Sequence, residues 1–205
     1  NKSIKVYKNL FNYKFLKILK KKHNKFDCII ANNVIANIDD LNDTFKGIEN
    51  LMKFNGFIVI ETFSLYGLIK NNLIDNIYHE HLSYFSIKNF DNFLKKFDLR
   101  IVEVEHMNVK GGSLRFIISH LSNKTLIKNN TLFKKSIYLE KKEKIHLKSS
   151  FNKIKKINNK NAILNKKFMK KIYQNNKIIC GYGASVGTTT LINYYGLNSY
   201  FKYIF

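Results

Sequence analysis

Phe26-Asp27-Cys28-Ile29-Ile30-Ala31-Asn32-Asn33 is a short apolar run that closes on two amides, and its reading decides the fold. A continuous run of this length predicts a buried parallel strand with its polar residues at the carboxyl end. Downstream, Asp39-Asp40-Leu41-Asn42-Asp43 offers helix N-caps. Phe45, Ile48, Leu51 and Met52 then fall on one face of a helix running to about Lys53. Asn55-Gly56 is expected to end that helix, and Phe57-Ile58-Val59-Ile60-Glu61-Thr62 to form the next strand. Strand, helix, strand at this spacing is a βαβ unit, for which a right-handed crossover is expected.

Working outward, residues 87–97 read as a helix that clusters Phe90, Phe93, Leu94 and Phe97. Residues 99–106 and 113–121 are both strand-like. The short link at 107–112, ending in Gly111-Gly112, predicts that they pair as an antiparallel hairpin. Residues 124–176 carry long helical segments rich in Lys. Lys177-Ile178-Ile179-Cys180 then reads as a strand, residues 181–190 as a Gly-rich loop entering a helix, and residues 201–205 as the start of another strand. A second βαβ unit therefore begins here. The fold class is α/β: a mostly parallel sheet finished by an antiparallel hairpin, a helical connection, and the start of a second unit of similar type.

The 205 residues are 45% hydrophobic, enough for a substantial core. A net charge of +22 points at first to nucleic acid or an anionic membrane surface. The charge is unevenly placed, however. Residues 124–177 hold 17 lysines against two acids, Glu140 and Glu143, a net +15 of the +22. A solvated connecting helix in a composition dominated by Lys, Asn and Ile accounts for that. No arginine cluster or interleaved aromatic platform supports a nucleic-acid interface, and no nucleic-acid partner is expected. The two cysteines, Cys28 and Cys180, sit in apolar runs and are expected to be buried free thiols. No apolar run approaches the ~18 residues of a membrane span, so no membrane partner is expected either. The natural location is cytoplasmic. Oligomeric state is not legible.

Asp75-Asn76-Ile77-Tyr78-His79-Glu80-His81-Leu82-Ser83-Tyr84-Phe85-Ser86 is the chemical centre of the chain. It places a phenol, two imidazoles and a carboxylate in four consecutive positions. All three residue types serve as general acids or bases, whereas an ordinary turn is built from Gly, Asn, Ser and Asp. His79 and His81 could ligate a metal at strand spacing, but no third or fourth ligand stands at recognisable spacing, and no metal is expected. Gly181-Tyr182-Gly183-Ala184-Ser185 at a helix start suits a phosphate or a tight turn equally well, and it is not a Walker loop. His23, His106, His120 and His146 read as ordinary surface or strand residues.

Taken in order, Ala31-Asn32-Asn33-Val34 with Ile38-Asp39-Asp40, then Gly56 to Glu61, then the Tyr78 to Ser86 block, then Gly111-Gly112-Ser113-Leu114-Arg115, then Gly181 to Ser185 resemble the S-adenosylmethionine-dependent C-methyltransferases that act on nucleotide-linked keto-deoxysugars. The resemblance runs from about residue 26 to residue 205. It implies part of a class I methyltransferase Rossmann-like domain at 1–122, a Lys-rich helical connection at 123–176, and the start of a C-terminal Rossmann-like domain at 177–205. It also implies S-adenosylmethionine as cofactor and a nucleotide-linked sugar as substrate. Members of the family carry an N-terminal zinc module, but this sequence has no Cys-x-x-Cys. Nor does it have an acidic-Gly-x-Gly loop before Asn32. The chain therefore reads as a fragment, with zinc possible only in a module outside it. A catalytically inactive remnant and a basic nucleic-acid-binding protein are the alternative functions.

Methylation of a carbon next to a ketone needs a base, a partner for the enolate oxygen, and a methyl donor in line. His81 is the candidate base because imidazole titrates near neutrality. Glu80 is placed to orient it or to bind a sugar hydroxyl, and Tyr78 to donate to the keto oxygen. Asn32 and Asn33, at the carboxyl end of a parallel strand, are candidate cofactor-binding residues, with plain strand capping as the other reading. The resemblance assigns His79, Gly111, Gly112, Arg115, Gly181, Tyr182 and Gly183 to the substrate. Arg115 is the residue that could meet a phosphate.

Overall fold

The computed structural model describes residues 4–175 and 177–205. Four strands form one mixed sheet: β1 (Phe26–Asn32), β2 (Met52–Phe63), β3 (Leu99–Met107) and β4 (Ser113–His120), in the order β1-β2-β4-β3. β1 runs parallel to β2, and the β3–β4 hairpin pairs antiparallel along the far side of β2. This is the expected parallel pair finished by a hairpin.

Between β1 and β2 lies helix α2 (Leu41–Leu51). Asp40 caps it, accepting from the N–H of Asp43, as the run of acids predicts. α2 packs on α1 (Tyr13–His23). Phe45 and Ile48 of α2, Leu16 of α1, and Ile58, Ile60, Phe116 and Leu99 of the sheet share one core. Helix α4 (Ile87–Leu94) and a 3-10 turn through Phe97 add Phe90, Phe93 and Phe97, whose rings stand edge-on or tilted around Phe45.

Two expectations about β1 and β2 are corrected. The helix does not reach Lys53. It ends at Leu51, and β2 begins at Met52, so Asn55-Gly56 lies inside the strand. The β1–β2 register jumps from Phe26–Met52 to Cys28–Phe57, a bulge that absorbs the turn-like residues. Second, β1 is not buried on both faces. Cys28, Ile30 and Asn32 alternate onto an uncovered face of an edge strand, and Ile30 is 72% exposed. Cys28 is therefore an exposed thiol rather than a buried one. Cys180 is exposed as well, because its two-stranded sheet is too small to cover it.

Beyond β4, the Lys-rich region folds as α5 (Asn130–Lys142) and α6 (Lys148–Gln174). β5 (Ile179–Gly181), α7 (Val186–Tyr195) and β6 (Phe201–Ile204) follow as a parallel βαβ pair in a separate sheet. α7 lies on α6 through Ile192, Tyr195, Ala162 and Met169.

Candidate active site

The carboxyl ends of β1 and β2 point to one place, and two loops close over it. After β2, helix α3 (Leu65–Asn71) starts at Ser64, whose Oγ accepts from the N–H of Gly67. The chain then runs back across the strand ends as residues 72–86. It is tied down where the N–H groups of Leu82 and Ser83 both donate to the carbonyl of Ala36, at 2.8 and 3.1 Å, and where Leu65 N–H donates to the carbonyl of Phe85. The second loop is the β3–β4 hairpin tip. Its Gly112 carbonyl accepts from Ser64 N–H at 3.0 Å, and its Gly111 carbonyl accepts from Asn71 Nδ2 at 2.7 Å. Both glycines have positive φ, and a side chain on Gly67 would stand 3.0 Å from Gly112 O. This close approach of backbone to backbone is what the paired glycines permit.

Tyr78 to His81 forms a tight turn, closed by His81 N–H donating to Tyr78 O at 3.1 Å. The turn puts residues 78 and 81 side by side and leaves His79 and Glu80 exposed at its tip. His81 Nδ1 is 2.8 Å from the carbonyl of Asn76, and Nε2 is 2.8 Å from the Tyr78 hydroxyl. A carbonyl only accepts, so Nδ1 carries the proton. Nε2 is then the basic nitrogen and accepts from the Tyr78 O–H. Tyr84 donates to the same Asn76 carbonyl at 3.3 Å. The imidazole is held between the rings of Phe63 and Tyr78, with centroids 4.1 and 4.0 Å away. Burial first, then the charges of Glu80 and Asp75, push the Tyr78 phenol above its ordinary value, and burial does the same for Tyr84. Tyr78 is therefore a protonated donor at neutral pH.

A cavity of about 150 Å³ opens here, lined by Asn33, Ala36, Asn37, Thr62, Phe63, Asn76, Tyr78, His81 and Lys110. It brings together Asn33, Tyr78 and His81 from the residues singled out in the sequence. Asn32 is exposed beside it and accepts from Asn33 Nδ2 at 3.1 Å. Glu80 and His79 are not in the lining, so Glu80 acts on the pair through its charge on Tyr78. A larger cavity, about 320 Å³ between α4 and α5, holds none of those residues.

Arg115 is held elsewhere. The strand register sets Glu61, Arg115 and Glu105 in one row across β2, β4 and β3. The guanidinium donates to Glu61 Oε2 at 2.8 and 3.1 Å and to Glu105 at 3.4 Å, and these carboxylates raise its pKa further. Three of its five N–H donors are engaged by this row of carboxylates. Gly181, Tyr182 and Gly183 form the turn into α7, where Gly183 and Ala184 N–H groups donate to Phe205 O. Tyr182 is fully out in solvent, and Gly183 has open space around it. This turn does not line the cavity, although Gly187 of α7 stands against the Asp75 carbonyl.

Sequence reasoning missed Thr62, Asn76, Phe63 and Lys110. Asn76 acts through its carbonyl, which any residue has, so no signal existed. Lys110, with positive φ at the hairpin tip, was findable as the cation preceding Gly111-Gly112. Among the described residues it makes no ion pair and is the one cation in the lining.

A cofactor fit can be judged from the lining. The cavity accommodates a reacting end and not a whole nucleoside, and its neutral amides suit the polar end of a donor lying over the β1 terminus. Among known families, residues 5–104 match the model described as a methyltransferase domain, and residues 108–205 match the one described as a C-methyltransferase C-terminal domain. Over 93 residues the chain is 32% identical to the C-methyltransferase NovU of Streptomyces niveus, an alignment covering 45% of this chain and 22% of NovU. The matched stretch thus spans about a fifth of that relative. A solved S-adenosylmethionine-dependent methyltransferase from Clostridium acetobutylicum ATCC 824 superimposes with a TM-score of 0.37 at 15% identity, covering 47% of this chain and 58% of that one.

Proposed function

The chain belongs to the S-adenosylmethionine-dependent C-methyltransferases, and from that premise we propose that it carries the proton-abstracting centre for methylation of a carbon next to a ketone in a nucleotide-linked deoxysugar. The observation that carries this reading is the Tyr78–His81 pair. It is an imidazole with its proton fixed on Nδ1 and its basic Nε2 2.8 Å from a phenol, both side chains lining a small cavity.

In this reading the Tyr78 hydroxyl gives up its bond to Nε2 when the sugar enters. The α-carbon's C–H bond then breaks, its proton goes to His81 Nε2, and its electron pair moves into the enolate. The backbone carbonyl of Asn76 holds the resulting imidazolium by its Nδ1–H. Asn32 and Asn33 are the residues that would hold S-adenosylmethionine, which supplies the methyl group when bound. Residues 1–122 carry this centre, 123–176 connect it, and 177–205 begin the C-terminal unit. Glu80 adds, from the turn tip, to the rise that burial gives the phenol's pKa.

The test uses the intact protein with a nucleotide-linked keto-deoxysugar in deuterated water. The wild type is expected to exchange the sugar's α-proton, read by NMR, and to add one methyl group when S-adenosylmethionine is present. His81→Asn is expected to lower both rates by ~10²–10⁴ while binding both ligands with nearly unchanged affinity. Full activity in His81→Asn would overturn the assignment of the base. A wild type that neither exchanges nor methylates would overturn the enolisation reading itself.

A further inference from the structure

Resting on that reading, we propose that Lys110 decides which substrates bind: its ammonium group pairs with the phosphate that joins the sugar to its nucleotide. Lys110 lines the cavity of about 150 Å³ together with Tyr78 and His81, and it is the one cation in that lining. No carboxylate shares the lining with it, since Asp75 and Glu80 of the neighbouring loop stand outside it. Among the described residues Lys110 makes no ion pair. It is exposed, so its charge is open to a ligand arriving from solvent. An exposed lysine is ordinarily just solvated, and what distinguishes this one is where the fold holds it.

Lys110, Gly111 and Gly112, with φ of 51°, 79° and 122°, make the tip of the β3–β4 hairpin. The tip is docked on the start and end of α3 through Ser64 and Asn71. The carbonyl of Lys110 accepts from Asn76 Nδ2 at 3.4 Å, and the carbonyl of the same Asn76 accepts from His81 Nδ1 at 2.8 Å. A single residue therefore bridges the backbone of Lys110 and the base. The strand order β1-β2-β4-β3 then separates two sides of the cavity. Asn33 and Asn37 follow β1, the side proposed for the methyl donor, whereas Lys110 comes from the hairpin beyond β2. The hairpin side is left for the acceptor. A cavity of this size takes the reacting end of a ligand and not a nucleoside. With the keto end of the sugar at His81, the nucleotide lies outside, and the phosphate attached to the sugar is the first group to emerge. A lysine, a flexible point charge that binds phosphate without fixed geometry, suits that place. Arg115, the phosphate candidate of the sequence, is not in the lining.

Lys110→Met removes the charge and keeps a long, unbranched side chain. In the intact protein, the calorimetric Kd for a nucleotide-linked keto-deoxysugar is expected to rise on the order of 10-fold, and its salt dependence to flatten by about one phosphate contact. Saturating kcat for methyl transfer is expected to stay within about threefold of the wild type, because the contact is kept from ground state to transition state. Lys110→Arg is expected to recover most of the affinity. Binding of S-adenosylmethionine, and of the same sugar without nucleotide or phosphate, is expected not to change. The melting temperature without ligand is expected to match the wild type. An unchanged Kd and salt slope in Lys110→Met would overturn the proposal. So would weaker binding of S-adenosylmethionine instead, which would make the donor's carboxylate the anion, or an equal loss for the phosphate-free sugar. A clearly lowered melting temperature or a failure to fold would also overturn it, by showing that the side chain is bonded within the protein. Binding is read without turnover. A wild type that binds the nucleotide-linked sugar but neither exchanges nor methylates therefore defeats the enolisation reading alone, and the same titrations still decide the role of Lys110.

Discussion

The acid–base role proposed for His81 rests on groups that differ greatly in how visible they are in sequence. The turn at Tyr78 to His81 brings an i, i+3 pair into contact; the Tyr-His-Glu-His run supplied both residues but not their contact. It did not reveal that His79 and Glu80 would occupy the exposed tip, because that depends on where the chain bends. Arg115 shows the opposite problem. Its motif suggested a phosphate, but its environment comes from the register that aligns it with Glu61 and Glu105. No local pattern encodes a cross-strand row. Thr62 was invisible for the same reason, since a threonine near the end of a strand looks like any other until the fold places it at the cavity. The row of charges makes a prediction. Arg115→Met leaves the Glu61 carboxylate, whose side chain is only 15% exposed, without its partner. The melting temperature should fall, whereas the salt dependence of binding of the proposed nucleotide-linked sugar, which counts phosphate contacts, should not change. Calorimetric melting and a binding titration at several salt concentrations measure both. A flattened salt slope at unchanged stability would restore the phosphate role.

Helix α4 depends on a residue 53 positions away. Its N-cap, Ser86, makes no side-chain bond. Instead Glu140 of α5 reaches under the helix start and accepts from Ile87 N–H at 2.7 Å, with Lys88 N–H also contributing. A carboxylate at a helix N-terminus is favourable, but this one is 5% exposed. Burial outweighs the two backbone bonds and pushes its pKa from 4.5 to about 7. Because the folded value lies above the unfolded one, the folded state holds the proton longer. The group's contribution to stability is complete below pH 4.5 and is lost as pH rises through about 7, at up to about 1.4 kcal/mol per pH unit. Glu140→Gln keeps an acceptor for Ile87 and removes the charge. Thermal melts from pH 5 to pH 8 should show the wild type losing stability relative to Glu140→Gln as pH rises, with the variant at least equal at pH 8. Parallel curves for the two proteins would refute this. In sequence, Glu140 was one of two acids among 17 lysines and read as part of a solvated face. A charge pattern does not show that one member of it turns inward. The βαβ units and the hairpin were legible because periodicity encodes elements. The bare face of β1 was not, since an apolar run looks the same whether one face or two are covered.

Across the molecule, the net charge of +22 comes almost wholly from lysine. Both arginines in the chain are used internally: Arg115 in the sheet, and Arg100 donating to the carbonyls of Asn123 and Leu126 at 2.7 Å. The lysines spread along α6, whose structural work is done by a few buried positions. Asn158, 2% exposed in the middle of that helix, is the main one. Its Nδ2 donates to Asn72 O at 3.0 Å and to Ile154 O at 3.1 Å, and its Oδ1 accepts from the Tyr195 hydroxyl at 2.8 Å. One amide thus ties α7 of the C-terminal unit, the connecting helix, and the first residue of the loop that carries Tyr78 and His81. Ile74 of that loop packs on the same Ile192–Tyr195 cluster. The loop of the candidate site is therefore held from below by α6 and α7, and its order should depend on that contact. Asn158→Leu fills similar space but leaves the Tyr195 hydroxyl and the Asn72 carbonyl unpaired in a buried setting, at ~1–3 kcal/mol per group. The expected result is a loss of about 2–4 kcal/mol in global stability, together with faster hydrogen exchange at the amides of residues 73–82 under conditions where the protein remains folded. Tyr195→Phe, which removes one bond and leaves Asn72 satisfied, should lose less stability and leave exchange in the loop close to wild type. If Asn158→Leu lowered stability but left exchange at 73–82 unchanged, the amide would be a packing device of α6 alone, and the loop would owe its order to Ala36, Phe85 and the hairpin tip instead.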